Sequence, residues 1–286
     1  MAGNIINAAR TNETRTNGRQ FVLGGIGISY KPANTLDIYA NISQNYRSIT
    51  FSDMRITNPS SVIDPNLKDE KGYSLDLGVR SANTTLYSYD VSGFYLNYNN
   101  RIGEVQFYDE SQRVLRRRGN IGQAVIFGLE SYAESDLLRL LQPQRTNVSG
   151  VLFANIAVIQ SSYKAGEIAG VVGKEVEFVP KLNLKSGFRV GYKQLKASFQ
   201  YTYLSDQFTE ATNARDGGVS AVVGLIPAYD IMDVSLSYQF RRFRIETTLN
   251  NLADKAYFTR RATGYPGPGI LPSDGRSFYL TLQAKF

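Results

Sequence analysis

Three residue types are missing from this chain of 286 residues: it has no cysteine, no histidine and no tryptophan. Without cysteine, the chain has no disulfide framework and no thiol site. Without histidine, it lacks the side chain that most often serves as a general base or a metal ligand. These absences exclude most enzyme designs, so we expect no enzymatic activity, no intrinsic cofactor and no metal site.

Long apolar segments are missing as well. The chain contains no run of roughly 18 apolar residues, so no transmembrane helix is predicted. The opening MAGNIINAAR has neither a basic start nor a continuous apolar segment, and it therefore does not look like a secretory signal peptide. The chain is instead rich in tyrosine and glycine, with 19 Tyr, 25 Gly and a net charge of +7. A net positive charge is typical of proteins that bind nucleic acid, an anionic membrane or an acidic ligand. The positions of the basic residues must distinguish between these three kinds of partner.

The dominant pattern is a strict alternation of apolar and polar residues. In the closing GRSFYLTLQAKF, Phe278, Leu280, Leu282 and Ala284 share one face of an extended chain, and polar residues lie between them. This period of two predicts a β-strand with one apolar face. Similar stripes begin near residues 36, 73, 182, 195, 232 and 243. We count about eleven strands, and residues 134–144 predict at most a short helical turn.

The predicted connections alternate in length. Short ones lie at 31–35, 81–84, 193–194 and 241–242, with a somewhat longer one at 135–147. Long ones lie at 47–71, 109–120, 163–178, 206–229 and 253–274. Antiparallel hairpins with short turns at one end and long loops at the other are typical of a transmembrane β-barrel, whose short turns are periplasmic and whose long loops are extracellular.

A soluble β-sandwich or barrel also has alternating strands, but its apolar faces point inward. The polar faces here carry too much charge for a dry core: Asp76, Arg80, Lys185, Arg189, Lys196, Arg244 and Glu246. A basic side chain facing lipid near mid-membrane costs roughly 2–4 kcal/mol, whereas one facing a watery lumen costs little. The sequence therefore predicts an all-β, transmembrane antiparallel barrel. Aromatic residues near the short turns are expected in the interfacial girdle: Tyr30, Tyr192, Tyr238 and Phe286.

Two stretches resemble the TonB-dependent receptors of Gram-negative outer membranes. DPNLKDEKGYSLDLGVR, residues 64–80, is similar to a loop-to-strand segment of that family, although it has Asp-Pro where the family has Asn-Pro. LNNLADKAYFTRRATGYPGPGILPSDGRSFYLTLQAKF, residues 249–286, is similar to the closing hairpin. NISQNYRSITFSD and RRATGYPGPGILPSDGR resemble more narrowly the ferric dicitrate receptor branch.

The resemblance implies a barrel of roughly 22 strands preceded by a plug domain. Residues 1–286 contain about half of those strands and no plug, so we expect one domain, the C-terminal part of such a barrel. Eleven strands closed on themselves would need a parallel seam, and an open sheet would expose two edges to lipid.

The resemblance also implies partners and a location. The expected location is the Gram-negative outer membrane, in contact with its lipid and lipopolysaccharide, and the expected activity is energy-coupled uptake of an iron chelate. Iron would be present only within the bound chelate. The TonB complex would act through the missing N-terminal region, and the barrel insertion machinery would recognise the last strand, which ends at Phe286.

Arginines are concentrated at the long connections: Arg47, Arg55, Arg113, Arg116, Arg117, Arg118, Arg215, Arg260 and Arg261. Guanidinium groups bind carboxylates bidentately, so a ring of them would suit an anionic chelate such as ferric citrate, the use that the resemblance implies. The candidate ligand residues are Gln44, Arg47, Arg55, Arg260, Arg261 and Tyr265. The run Arg116–Arg118 is equally typical of a solvated loop or of a contact to lipopolysaccharide phosphates, and the loop carboxylates of Asp64 and Glu70 are expected to be solvated.

Two other functions stay open. A passive porin-like channel would need no plug but should close as an even-numbered barrel. A truncated receptor fragment would have no function of its own. Nucleic-acid binding is not expected, because the basic residues are spread over strand faces and loops and form no continuous patch.

Overall fold

A computed structural model describes residues 2–6, 12–16, 20–54, 61–81, 84, 86–110, 114–144, 147–166, 168–217, 221–262 and 269–285. The strands are β1 Ala2–Ile6, β2 Asn12–Thr16, β3 Gly25–Ala33, β4 Leu36–Arg47, β5 Ser61–Ile63, β6 Glu70–Ser81, β7 Tyr87–Tyr108, β8 Val114–Asp136, β9 Val148–Gly166, β10 Leu182–Tyr192, β11 Leu195–Leu204, β12 Gln207–Phe208, β13 Leu225–Ile226, β14 Tyr229–Phe240, β15 Phe243–Asn250, β16 Phe258–Ala262, β17 Gly269–Pro272 and β18 Ser277–Ala284. Two short helices are α1 Phe51–Met54 and α2 Leu137–Leu141. Within these ranges, no helix is long and apolar enough to cross a membrane.

Eleven strands form one antiparallel sheet in the order β3-β4-β6-β7-β8-β9-β10-β11-β14-β15-β18. The short strand β5 pairs in parallel with β8, and three further hairpins, β1-β2, β12-β13 and β16-β17, are separate. Among the described residues, β3 and β18 are the two edges and do not pair with each other, so the sheet is open. The predicted all-β fold and the count of about eleven strands are confirmed.

The predicted alternation of connection lengths is found except at the connection between β7 and β8. At one end of the sheet the strands are joined by residues 34–35, 82–86, 137–147, 193–194 and 241–242. At the other end they are joined by residues 48–69, 109–113, 167–181, 205–228 and 251–276. We call these two ends the short-connection end and the long-connection end. Tyr30, Tyr192 and Tyr238 are exposed near the short-connection end, whereas Phe286 lies outside the described residues.

The predicted long loop at 109–120 is wrong. Strands β7 and β8 continue as a paired ladder up to Tyr108 and Val114, which leaves five residues, 109–113, between them. The arginine run lies within β8, where Arg118 is the cross-strand partner of Glu104 and Arg116 is that of Gln106. Because the carboxylate on β7 compensates the basic run, a charged segment that looks like a loop in sequence is stable as a strand.

The apolar stripes of successive strands lie side by side. Ile28, Ala40, Leu77, Gly93, Leu129 and Val158 are consecutive cross-strand partners from β3 to β9. Phe188, Phe199, Val234, Leu249 and Phe278 are consecutive partners from β10 to β18. Leu77 and Leu129 are each 63 % exposed, so these rows form a continuous exposed apolar face. That face has the chemistry of a surface in contact with lipid.

The opposite face of the sheet is polar and is paired across neighbouring strands. Arg80 of β6 lies 2.8 Å from Asp37 of β4 in an ion pair. The Tyr39 hydroxyl passes over Gly78 and donates to Asp90 of β7 at 2.7 Å. Further along the sheet, Arg189 pairs with Glu134, Arg244 pairs with Glu246, and the hydroxyls of Ser198 and Ser235 are in contact. The arginines of these pairs are about half exposed, which fits a face that borders water.

The buried apolar residues are gathered at the long-connection end. Val105 of β7 and Ile121 of β8, from the parts of these strands nearest the long-connection end, pack with Tyr163 of β9. The cluster also contains Ala124 and Ile126 of β8, Val171 and Val176 of connection 167–181, and Ala211 of connection 205–228. The long connections are therefore folded onto the polar side of the sheet, where they form a compact base for a site.

Gly78 leaves the space through which Tyr39 reaches Asp90. A Cβ added at Gly78 would lie 2.8 Å from Cε1 of Tyr39, so we expect Gly78→Ala to displace the ring and to lower the free energy of unfolding by about 1–3 kcal/mol. Gly27→Ala is the matched control, because its Cβ would have no atom closer than 3.8 Å, and it should change stability by less than about 0.5 kcal/mol. Urea unfolding in detergent micelles measures both, and equal effects would contradict the close contact.

Candidate ligand site at the long connections

Arg47 is the last residue of β4 and lies between two carboxylates. Its Nη2 is 2.7 Å from Oδ1 of Asp53, and its Nη1 is 3.1 Å from Oε1 of Glu70. Glu70, the first residue of β6, also accepts a hydrogen bond of 2.6 Å from the Ile102 amide. Both carboxylates are buried, whereas Arg47 keeps 44 % of its side chain exposed. The guanidinium is thus held in one orientation at the mouth of the polar face.

Asp53 is the polar centre of the short helix α1. Its Oδ2 accepts hydrogen bonds from the Thr50 amide at 2.9 Å and from the Thr50 hydroxyl at 2.7 Å. Burial by itself raises the pKa of Asp53, but the hydrogen bonds from Thr50 and the positive charge of Arg47 outweigh burial and hold that pKa below the usual aspartate value. Asp53 therefore anchors the start of connection 48–69 as an ionised group.

The arginine run of β8 pairs with carboxylates of the chain itself. Arg116 and Arg118 point to one side of the strand, and both pair with Glu104; Arg118 also lies 3.5 Å from Asp53. Arg117 points to the other side and pairs with Asp64. The run is neither a solvated loop nor a free anion site, and the prediction that Asp64 and Glu70 are solvated is wrong.

A further charged group, formed by Arg101, Tyr163 and Glu177, was not predicted from the sequence. The hydroxyl of Tyr163, which is fully buried, donates to Oε2 of Glu177 at 2.6 Å. Arg101 lies 3.4 Å from Oε1 of the same carboxylate and stacks on Tyr98. These side chains come from β7, β9 and connection 167–181, and their separation in sequence left no local signal.

Together these residues form what we call the ion-pair network. It contains five arginines and five carboxylates: Arg47, Arg101, Arg116, Arg117 and Arg118, with Asp53, Asp64, Glu70, Glu104 and Glu177. Its formal charge is zero. Of the arginines predicted to converge, Arg47, Arg116 and Arg118 are brought together, and an anionic ligand would have to compete with the carboxylates that already pair with them.

Arg260 and Arg261 of strand β16 differ from the network. Because neighbouring residues of a strand point to opposite faces, their side chains diverge. The two terminal nitrogens of Arg261 donate to the carbonyl oxygens of Ala221 and Leu225, each at 2.8 Å. Arg260 is exposed, and in the part of the chain that the structure describes it has no side-chain hydrogen bond or ion pair. Arg260 is therefore the candidate arginine that is open to a ligand.

The remaining candidates are placed elsewhere or lie outside the description. Gln44 is exposed on the face of β4 that carries Ile42, and its side-chain oxygen accepts a hydrogen bond from the Gly24 amide at 3.1 Å. Arg215 is exposed, with its guanidinium over the Phe208 ring. Arg55, Arg113 and Tyr265 lie outside the described residues. Ligand contacts by any of these residues stay a prediction.

The fold has a match among known families. The model of the TonB dependent receptor-like β-barrel family matches residues 4–252, most of the chain. The chain belongs to this family. Members are outer-membrane receptors and transporters, so the exposed apolar face of the sheet is its lipid-facing surface, and the polar face is directed to the barrel lumen. The family resemblance drawn from residues 64–80 and 249–286 is confirmed.

Solved structures of similar fold are receptors and transporters of metals. The ferric citrate transporter FecA in its unliganded form is 20 % identical, with a TM-score of 0.71, and the match covers 92 % of this chain and 38 % of that one. The ferric yersiniabactin uptake receptor FyuA from Yersinia pestis is 18 % identical, with a TM-score of 0.66 and coverages of 96 % and 38 %. The copper transporter OprC is 16 % identical, with a TM-score of 0.70 and coverages of 92 % and 39 %.

These similarities show the fold of the TonB-dependent receptor barrel and nothing finer. The chain spans about two fifths of the length of the structures that it matches. No curated protein is significantly similar to it in sequence. The open sheet of eleven strands corresponds to part of such a barrel.

Because the pKa of Asp53 is lowered in the folded state, its contribution to stability is present above the ordinary aspartate pKa of about 4 and is lost as the pH falls through the lower folded-state value. We expect amide hydrogen exchange of residues 48–54, corrected for the intrinsic rate, to be slow from neutral pH down to about pH 4 and to accelerate below it.

The variant Asp53→Asn should accelerate exchange of the same residues about tenfold or more at neutral pH, because charged hydrogen bonds are lost, and should remove the pH step. Glu110→Gln, which changes an exposed carboxylate at the tip of the β7–β8 hairpin, is the control and should leave residues 48–54 unchanged. A pH step that persists in Asp53→Asn would assign the effect to another carboxylate.

Proposed function

We propose that this chain forms part of an outer-membrane receptor barrel for the energy-coupled uptake of an iron chelate, ferric citrate or another siderophore. The observation that carries this proposal is Arg260, an exposed arginine at the long-connection end of a TonB-dependent receptor barrel, with no acidic partner among the described residues. Similarity to metal transporters, one of them titled a ferric citrate transporter, supports the choice of cargo.

The exposed arginines determine the order in which the chelate is bound in the proposed capture step. Arg260 binds a carboxylate or phenolate oxygen of the chelate first, since no internal acid has to be displaced. Arg47 is the second contact, because its guanidinium is partly exposed although two carboxylates hold it. Gln44, Arg55, Arg261 and Tyr265 complete the set of candidate residues, although Arg261 already donates to two backbone carbonyls of the chain. The network supplies rigidity, because its charges compensate one another.

The remaining partners follow from the same proposal. The receptor is a transporter without enzymatic activity or an intrinsic cofactor, and iron enters only as cargo. Its location is the Gram-negative outer membrane, where the apolar face contacts lipid and the long connections approach lipopolysaccharide. The TonB complex supplies energy for uptake, and the insertion machinery binds the last strand. Nucleic acid is not a partner.

Uptake of radiolabelled ferric citrate tests the proposal in cells whose receptor contains this chain. We expect Arg260→Ala to weaken binding in the cold by about tenfold or more, because a charge-assisted hydrogen bond is lost. Arg242→Ala is the matched control: Arg242 is an exposed arginine in the two-residue turn at the opposite end of the sheet, and its removal should leave binding unchanged. Equal loss in both variants would contradict a local ligand contact.

A protonophore separates active uptake from passive diffusion. It should abolish uptake and leave cold binding intact; uptake that continues would indicate the porin-like alternative. Ferric enterobactin and copper, the ligands named for other matched folds, serve as competing cargoes in the same assay. If the receptor binds one of these cargoes and not ferric citrate, the proposed receptor function stands and the proposed ligand is wrong.

A further inference from the structure

We propose that Arg261 is a positioning residue, a clamp that holds connection 205–228 against the β16–β17 hairpin and leaves Arg260 alone as the ligand-facing arginine of that strand. The clamp stands on contacts within the chain. The part that concerns Arg260 rests on the function proposed above.

The contacts of Arg261 are all internal. Its Nη1 donates to the Ala221 carbonyl and its Nη2 to the Leu225 carbonyl, both at 2.8 Å, so the two ends of the guanidinium fork are occupied. Its Nε is buried without a hydrogen-bond partner. The guanidinium carbon lies 5.2 Å from the centre of the Phe258 ring, which belongs to the same strand. A lysine has one compact ammonium group and could not span both carbonyls while stacking on the ring.

Connection 205–228 is shaped to receive this guanidinium. A Cβ added at Gly217 would lie 3.2 Å from Nη1 of Arg261, and one added at Gly224 would lie 3.3 Å from Nη2. Gly224 also has a φ of +128°, a conformation that residues with a side chain rarely adopt. Two glycines and two carbonyls therefore form a cradle of the size of a guanidinium.

The electrostatics agree with an internal role. Burial lowers the pKa of Arg261, and the negative charge of Asp216 acts in the opposite direction. The group keeps its charge, because an arginine is not deprotonated in proteins under ordinary conditions. The two carbonyls take two of the five N–H donors of the guanidinium and its Nε is buried, so Arg261 cannot offer its full fork to a bound anion.

The same connection is tied on its other side. The side-chain amide of Asn213 donates to the Glu175 carbonyl at 2.9 Å and accepts from the Glu175 amide at 2.7 Å. Asn213 thereby joins connection 205–228 to connection 167–181, and Arg261 joins it to connection 251–276. Loss of Arg261 should free the β16–β17 side of connection 205–228 and leave the Asn213 side attached.

Limited trypsin digestion of the receptor that contains this chain, in detergent and without ligand, tests the clamp. Arg215 is an exposed cleavage site within connection 205–228. We expect Arg261→Ala to raise the rate of cleavage after Arg215 by about tenfold, since cleavage follows the population of the opened segment. Arg261→Lys should not restore protection, and Arg260→Ala, the matched neighbour on the same strand, should leave cleavage unchanged.

The proposal is overturned if Arg261→Ala is cleaved like the parent or if Arg261→Lys is fully protected.

Binding of ferric citrate to the same variants tests the division of roles. Arg260→Ala should weaken binding without faster cleavage, and Arg260→Lys should recover part of the affinity because charge is retained. Arg261→Lys should bind as poorly as Arg261→Ala. A parent receptor that fails to bind ferric citrate counts against the proposed ligand only, because the cleavage experiment needs no ligand and decides the clamp independently.

Discussion

The backbone ladder between neighbouring antiparallel strands is the constraint on which the rest of the structure depends. Side chains alternate with a period of two, so a slip of one residue in any ladder would move apolar residues to the polar face. The observed registers avoid this slip, because the six residues of the row from Ile28 to Val158 stay on one face across five ladders. One apolar surface for lipid and one polar surface for the lumen follow directly.

Beyond the lipid-facing rows, toward the long-connection end, the backbone ladder carries charged side chains. Strands β7 and β8 continue beyond the apolar stripe, and their upper parts carry Glu104 and the arginine run. Connection 48–69 folds onto this platform through Asp53, which pairs with Arg118, and connection 167–181 through Glu177, which pairs with Arg101. Charge compensation therefore replaces apolar burial as the main organising interaction at the long-connection end, around a small cluster that includes Val105, Ile121 and Tyr163.

Within this arrangement, arginines that look equivalent in sequence have different roles. Those of the network are compensated by carboxylates, Arg261 is enclosed by connection 205–228, and Arg260 is exposed on the opposite face of β16. Most of the described arginines at the long-connection end thus pair with groups of the chain itself. The number of arginines able to meet an anion is smaller than their count in the long connections suggests.

The sequence by itself determined the all-β class, the number of sheet strands and their faces, because the period of two is a local property that each strand carries. It also marked the end at which the arginines gather. Only the tertiary structure decided which arginines are paired, because Glu104, Asp53 and Glu177 reach them from distant segments. The strand at Arg116–Arg118 was missed for the same reason: its stability depends on a partner strand, and local composition does not contain that information.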